Sequence, residues 1–88
     1  MLELRYTNQA KRDLRLAKKR GRDFKKLNTI IDLLQAGKAL PAKHRNHMLS
    51  GEYKGHWECH IEPDWLLIYI LNAKAVILVR TGTHSELF

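Results

Sequence analysis

The order of apolar and polar side chains predicts a strand followed by two helices at the start of the chain. Apolar and polar residues alternate over Leu2–Thr7, which indicates a short strand. Apolar residues then recur every three or four positions, as on one face of a helix. The first helix should begin after a cap at Thr7 or Asn8 and end near Arg20–Gly21, and the second should begin after a cap at Asp23 and stop at Gly37. Because the connection between them is so short, the helices are expected to form an antiparallel hairpin.

Three runs rich in β-branched and aromatic residues predict three more strands. They lie at Tyr53–Ile61, Trp65–Leu71 and Lys74–Thr81, after a polar loop at Ala42–Glu52. A tight turn joins the last two strands, which should therefore pair antiparallel. The C-terminal tail that follows is too short for an element of its own. The predicted order is β-α-α-β-β-β, an α+β fold in which a small, mostly antiparallel sheet carries the helical hairpin on one face, as a single domain over residues 1–88.

The strand predicted at Tyr53–Ile61 has two chemically different faces, because successive side chains of a strand point to opposite sides. The apolar side carries Trp57, Cys59 and Ile61. The polar side carries His56, Glu58 and His60. The apolar set should pack beneath the helices. The polar set is then left on the other face of the sheet, where it can form a concave site.

Composition places the chain among small soluble domains. Of its 88 residues, 44% are hydrophobic and 28% are charged, and a chain of this size supports one thin core. No run of about 18 apolar residues predicts a transmembrane helix, and the first residues lack the layout of a signal peptide. The single cysteine, Cys59, excludes an intrachain disulfide and CxxC motifs. A cytoplasmic protein is therefore expected.

Positive charge is concentrated in the first half of the chain. The net charge is +7, and residues 1–45 hold thirteen basic and four acidic side chains, against three and five in residues 46–88. Such asymmetry is typical of proteins that bind a polyanion, most often nucleic acid. A basic helical face that only keeps the domain soluble, or that docks an acidic protein, would give the same pattern.

Histidines are clustered, with four of the five between residues 44 and 60 and the fifth at His84. The spacings His44-x2-His47 and His56-x3-His60 are conceivable for metal ligands, but no further ligand completes a tetrahedral set. We therefore expect neither a metal nor a cofactor. His44 and His56 are interpreted as solvated histidines, and the other three as candidates for proton transfer near neutral pH.

The most specific segments are Glu62-Pro-Asp-Trp65 and Arg80-Thr-Gly-Thr-His84, the second followed by the terminal Phe88. An Asp in a turn usually caps the backbone and a Trp at a strand edge is usually partial core, so the first segment alone would indicate nothing more. Together with the loop His47-x-Leu-x-Gly51 and the basic first helix, these segments resemble the YafQ branch of the RelE/ParE superfamily of bacterial toxins over essentially the whole chain. The resemblance implies a ribosome-dependent mRNA endoribonuclease encoded beside an antitoxin.

The resemblance also assigns roles to seven positions. The catalytic residues that it implies are His47, His60, Asp64, Arg80 and His84. The substrate-binding residues that it implies are Trp65 and Phe88, as platforms on which unpaired bases stack. For Phe88, packing against the core is the competing interpretation.

Histidines, an aspartate and an arginine suit RNA cleavage without a metal. The 2′-hydroxyl attacks the adjacent phosphorus, so the enzyme must take a proton from that hydroxyl, give one to the leaving 5′-oxygen and stabilise the phosphoryl charge. Arg80 supplies a planar fork of donors that matches phosphate. His60 or Asp64 is the expected base and His84 or His47 the expected acid, with a 2′,3′-cyclic phosphate as product.

Basic residues of the two helices are expected to hold ribosomal RNA phosphates or to receive an acidic antitoxin segment. They are Lys11, Arg12, Arg15, Lys18, Lys19, Arg20, Arg22, Lys25 and Lys26. As partners, the resemblance implies a DinJ-like antitoxin, the ribosome and mRNA, no membrane, and operator DNA that the toxin–antitoxin complex binds through the antitoxin. The alternative is a basic RNA- or partner-binding module without catalysis, or a superfamily toxin acting on another target such as gyrase.

Overall fold

A computed structural model describes all 88 residues and confirms an α+β fold. The strands are β1 (Glu3–Tyr6), β2 (His47–Met48), β3 (Trp57–Glu62), β4 (Trp65–Leu71) and β5 (Ala75–Gly82), and the helices are α1 (Asn8–Lys19), α2 (Phe24–Gln35) and α3 (His84–Leu87). One sheet contains all five strands in the order β1-β5-β4-β3-β2. Every neighbouring pair is antiparallel except β1 and β5, which are parallel.

The first two helices begin where the sequence predicts. The side chain of Thr7 accepts from the N–H of Ala10, and the side chain of Asp23 accepts from the N–H of Lys25, so both N-caps are satisfied. After α2, Gly37 has a φ of +71°, a left-handed conformation that glycine adopts without the clash a Cβ would cause. No helix of the structure is both long and apolar enough to cross a membrane.

Two apolar clusters lie on opposite faces of the sheet. The larger cluster is formed by α1, α2 and the sheet face beneath them, called here the helix face, and it includes Ile30, Cys59, Trp65 and Tyr69. The smaller cluster lies on the opposite face, called here the outer face, and consists of Leu66, Ile68 and Leu87, with partly buried side chains packed around it. The outer face is therefore apolar in part, and its polar residues surround a small hydrophobic floor.

Three elements differ from the sequence prediction by more than one or two residues at a boundary. The strand expected from Tyr53 begins only at Trp57, because Gly51–Tyr53 form a 3₁₀ turn, so His56 precedes the strand. Within the segment predicted to be a loop, His47–Met48 pair with β3 as a short edge strand. The C-terminal tail, expected to form no element, forms the single-turn helix α3.

The C-terminal helix is held by its own cap and by one ion pair. The Thr83 side chain accepts from the N–H of Glu86, while the Glu86 carboxylate accepts from the N–H of Thr83, which together form a capping box. The same carboxylate pairs with Arg20 at 2.9 Å. These contacts anchor the end of the chain beside α1.

Candidate active site

One row of side chains crosses the outer face through four strands. His47 on β2 pairs with Glu58 on β3, Glu58 pairs with Ile68 on β4, and Ile68 pairs with Arg80 on β5. Directly paired residues point to the same face, so two of the predicted catalytic residues, His47 and Arg80, lie at the two ends of this row. His60 is two residues beyond Glu58 on the same strand and therefore faces the same side.

A buried carboxylate lies between two of the histidines. Glu58 Oε1 is 3.5 Å from Nε2 of His47 and 4.0 Å from Nε2 of His60. Glu58 is only 5% exposed, and its second carboxylate oxygen is buried without a hydrogen-bond partner. A buried acceptor without a partner is costly, which makes it a candidate functional group. Alternation along the strand predicts Glu58 on this face, but no motif of the sequence indicates a role for it.

The backbone before β2 orients the first histidine. Nδ1–H of His47 donates to the carbonyl oxygen of Arg45 at 2.7 Å, which leaves Nε2 directed towards Glu58. Arg45 itself has a φ of +46°, a left-handed backbone conformation that residues other than glycine adopt only at a cost in free energy. The turn thus stores backbone strain next to the histidine that it positions.

Arg80 is fixed by a carboxylate from α1. Its Nε and Nη2 donate to Asp13 at 3.1 and 3.2 Å, and the backbone N–H of Thr81 donates to the same carboxylate at 3.2 Å. The hydrogen bond to Asp13 raises the pKa of Arg80, and Tyr53 contributes in the same direction. The guanidinium is therefore held in one place and stays charged. Asp13 was missed by the sequence analysis, since it is 67 residues from Arg80 and stands in an ordinary helical pattern.

The C-terminus brings His84 and Phe88 together. Their ring centroids are 5.1 Å apart, and the ring of Phe88 packs edge-on to Tyr53 at 5.9 Å. Phe88 is 54% exposed as a residue, so it is accessible to a ligand. Tyr53 also packs against the hydrophobic floor of the outer face, which places this aromatic group at the edge of that face.

Trp65 does not have the role predicted for it. Its side chain is 1% exposed on the helix face, where its ring packs against Phe24 at 5.8 Å and the Arg22 guanidinium lies 5.6 Å from its centroid. No base can stack on a ring that the core encloses. The prediction that Trp65 binds substrate by stacking is therefore wrong, and the competing interpretation as a core residue applies.

Asp64 is not joined to a histidine. Its carboxylate accepts from Arg22 at 3.0 Å, and this hydrogen bond lowers the pKa of the carboxyl group. The Asp64 side chain is 71% exposed at the β3–β4 turn. The carboxylate that the structure places beside imidazoles is Glu58.

The two histidines interpreted as solvated have structural contacts instead. His44 is buried, and its Nδ1–H donates to the carbonyl oxygen of His60 at 2.7 Å, so its description as solvated is wrong. His56 is partly buried, and its ring packs edge-on to Tyr53 at 5.6 Å. No group of three or more His, Cys, Asp or Glu side chains in the structure could hold a metal ion. Burial raises the pKa of the Cys59 thiol to about 12.

The basic helices lie on the face opposite the histidine row. Three of their basic side chains are in ion pairs with acidic residues of other elements, namely Arg20 with Glu86, Arg22 with Asp64, and Lys26 with Glu62. The remaining ones, which are Lys11, Arg12, Arg15, Lys18, Lys19 and Lys25, are exposed and form no ion pair. The exposed basic side chains without an ion pair and the histidine row thus lie on opposite sides of the sheet.

Comparison with known proteins gives consistent matches over the full length. Residues 2–88 match a family described as the bacterial toxin of type II toxin–antitoxin systems, YafQ. The chain is 42% identical over 87 residues to the mRNA interferase toxin YafQ of Escherichia coli strain K12, an alignment that covers 98% of this chain and 95% of the relative.

Solved structures agree with the sequence matches. The crystal structure of YafQ from E. coli strain BL21(DE3) superimposes with a TM-score of 0.93 at 39% identity, covering 100% of this chain and 99% of the other. A chain in the crystal structure of the E. coli DinJ–YafQ toxin–antitoxin complex superimposes with a TM-score of 0.91 at 42% identity, covering 99% and 97%.

Proposed function

Because this chain belongs to the YafQ family of toxins from type II toxin–antitoxin systems, we propose that it is an mRNA endoribonuclease that stops translation by cutting mRNA on the ribosome. The observation that carries the chemistry is the row on the outer face. It combines proton-transfer groups, His47 and His60 beside Glu58, with the anchored guanidinium of Arg80.

Cleavage proceeds by attack of the substrate's own 2′-hydroxyl. The O2′–P bond forms, the P–O5′ bond breaks, and the upstream fragment ends in a 2′,3′-cyclic phosphate. A base takes the 2′-hydroxyl proton, an acid gives a proton to the departing O5′, and a cation stabilises the phosphoryl oxygens. No metal takes part in these steps.

Roles follow from where the groups lie. The base is one of the two imidazoles beside Glu58, with His60 preferred because its side chain is the more buried of the two, and Glu58 orients these rings and stabilises the imidazolium that forms. His84 is the acid, since it lies at the exposed C-terminal edge of the same face. Arg80 binds the phosphoryl oxygens, because its fork is held by Asp13.

Phe88 supplies a stacking surface for a base beside the cut. Phe88 is exposed, and its ring packs edge-on against Tyr53 and lies next to the proposed acid. Stacking of a base on an aromatic side chain contributes roughly 1–3 kcal/mol to binding.

The basic residues on the side of the sheet opposite the histidine row support action on the ribosome. The exposed basic residues of α1 and α2 that form no ion pair lie on the other side of the sheet from the histidine row, away from a strand of mRNA held in that row. We assign those residues to ribosomal RNA phosphates, and activity should therefore fall with increasing salt. The cytoplasm, where ribosomes and mRNA are found, is the proposed location.

A DinJ-like antitoxin is the proposed protein partner. Chains of the DinJ–YafQ complexes from E. coli superimpose closely on this one, with TM-scores of 0.91 and 0.90. The same basic helices are available to an acidic antitoxin segment, and the resulting complex is proposed to bind operator DNA through the antitoxin.

Ribosomes programmed with a defined mRNA test the proposal. The wild-type protein should cut at codon positions and leave a 2′,3′-cyclic phosphate, and mRNA with 2′-deoxyribose at the cut should stay intact. His60→Gln and His84→Gln should each slow cleavage by about 10²- to 10⁴-fold, the usual worth of an acid or base. His56→Gln is the matched control, since His56 lies outside the row and should leave the rate within about twofold.

Growth arrest distinguishes the alternative functions. If the wild type and both histidine variants arrest bacteria equally and no mRNA is cut, the chain is a binding module or acts on another target such as gyrase. If the 2′-deoxy substrate is cut at the normal rate, the proposed attack by O2′ is wrong.

A further inference from the structure

A pocket of about 560 Å³ lies beside the histidine row, at the end of β3 that β2 does not cover. Strand β2 pairs only with Trp57 and Glu58, which leaves the rest of β3 without a neighbouring strand on that edge. The walls of the pocket come from α2, from the turn around Ala42–His44 and from the end of β3. The polar side chains that line it include Lys26, Lys43, His44, Arg45, His60 and Glu62.

Charge in this pocket favours an anion. Its one acidic side chain, Glu62, is engaged by Lys26, with Nζ and Oε2 3.4 Å apart. Lys43 and Arg45 are exposed and take part in none of the ion pairs of the structure. Two cations without counter-ions therefore face a concave space, an arrangement that attracts phosphate.

The pocket is continuous with the histidine row through His60. The imidazole Nε2 of His60 is directed towards Glu58 in the row, whereas its backbone carbonyl accepts from His44 at the pocket wall. One strand position thus borders both sites. A polymer with its scissile phosphate at the row can therefore pass over His60 and enter the pocket.

We propose that this pocket binds the RNA nucleotide adjacent to the scissile phosphate, with Lys43 and Arg45 holding that nucleotide's phosphate. The proposal rests on the proposed function. The volume is within the range of small-ligand sites. An antitoxin helix is a poorer occupant, because such a helix needs an apolar groove and Ile61 is the only hydrophobic residue among the nine that line the pocket.

NMR titration with an uncleavable RNA trinucleotide tests the pocket directly. The RNA carries a 5′-phosphate and 2′-deoxyribose on its first nucleotide, so that the middle of its three phosphates is the cleavage position, has one phosphate on each side, and is not cut. Lys43→Gln and Arg45→Gln should each weaken binding by roughly three- to tenfold, the effect of losing one charged hydrogen bond to phosphate. Gln keeps the backbone conformation and most of the side-chain length, so the change is limited to the charge.

Lys74→Gln is the matched control. It removes the same charge in the β4–β5 turn, at the opposite end of β4 from the pocket, and should change the affinity by less than twofold. Removing the phosphate that flanks the cleavage position on one side should abolish the difference in RNA affinity between the wild type and Lys43→Gln. The side at which this happens identifies the nucleotide that the pocket holds.

Three outcomes would overturn the pocket proposal. The first is equal affinity of Lys43→Gln, Arg45→Gln and Lys74→Gln for the trinucleotide. The second is absence of wild-type binding at millimolar RNA. The third is a loss of antitoxin affinity in the pocket variants with unchanged RNA affinity, which would make the pocket a protein-docking site. Ribosome-programmed cleavage by the wild type, measured separately, shows in each case whether the proposed function itself still holds.

Discussion

Asp13→Asn should weaken both the fold and the catalysis, because one carboxylate from α1 holds the guanidinium of Arg80 in place. Oδ2 of Asp13 accepts from Arg80 Nε and from the Thr81 N–H, while Oδ1 accepts from Arg80 Nη2 and from Gln9. The Asp13 side chain is almost buried and that of Arg80 is partly buried, so water replaces these bonds poorly.

The size of the effect follows from the bonds lost. In the Asn variant one oxygen remains, and it can keep the contacts of Oδ1. The amide NH₂ then stands where Oδ2 was, and it cannot accept from Arg80 Nε or from Thr81. A poorly solvated donor left without a partner costs about 1–3 kcal/mol, and partial exposure of Arg80 places its share at the low end. We expect a loss of about 2 kcal/mol in the free energy of unfolding, or roughly 8–16 °C in Tm for a domain of this size.

Urea unfolding and ribosome-programmed cleavage measure the two consequences. Asp32→Asn is the matched control, because Asp32 is an exposed carboxylate on α2 that forms no ion pair, and its loss should change stability by less than about 0.5 kcal/mol. Cleavage at a temperature where both variants are folded should fall only for Asp13→Asn. A double-mutant cycle with Arg80→Gln that gives a coupling energy near zero would refute the view that Asp13 anchors Arg80.

Other predictions concern pH, stacking and thiol reactivity. The hydrogen bond from Arg20 lowers the pKa of Glu86 from 4.5 to about 2 in the folded protein, so this stabilisation is present above pH 4.5 and is lost as the pH falls towards 2. The Tm of the wild type should therefore exceed that of Glu86→Gln above pH 4.5, and this difference in Tm should shrink as the pH falls towards 2. A difference in Tm that stays constant over this interval would contradict the lowered pKa of Glu86. Phe88→Ala should lower the binding free energy of the RNA trinucleotide by about 1–3 kcal/mol with little change in Tm, whereas Trp65→Phe should lower Tm and leave RNA affinity unchanged. The opposite pattern would mean that the surface and core assignments of these rings are reversed. Cys59 should react with iodoacetamide at pH 8 only when the protein unfolds, and rapid labelling of the native protein in mass spectra would show that its thiol is accessible.

Local patterns in the chain were sufficient to predict most of the helices and strands. Helix caps at Thr7 and Asp23 and the strand Trp65–Leu71 depend on residues that are close in sequence, and all three agree with the structure. The missed helix α3 also had a local signal, since Thr83 and Glu86 have the spacing of a capping box. That error came from the shortness of the tail, and not from a lack of information in the sequence.

The environment of Trp65 could not be predicted in the same way, because β4 is apolar on both sides. Leu66 and Ile68 are buried on the outer face, while Leu67 and Tyr69 are buried on the helix face. Alternation of polar and apolar residues, which identifies the buried side of a strand, is absent there. Only the packing of the helices and of α3 decides on which face each ring is enclosed.

By itself, the sequence determined the α+β class, the family resemblance and the presence of several histidines and an arginine suited to RNA cleavage. Which side chain each carboxylate contacts was decided by the tertiary structure: Glu58 lies beside the histidines, Asp13 pairs with Arg80 and Asp64 pairs with Arg22. The physical reason is that an ion pair depends on distances in space between residues that are far apart in the chain. Periodicity and capping describe contacts within a few residues and carry no information about such pairs.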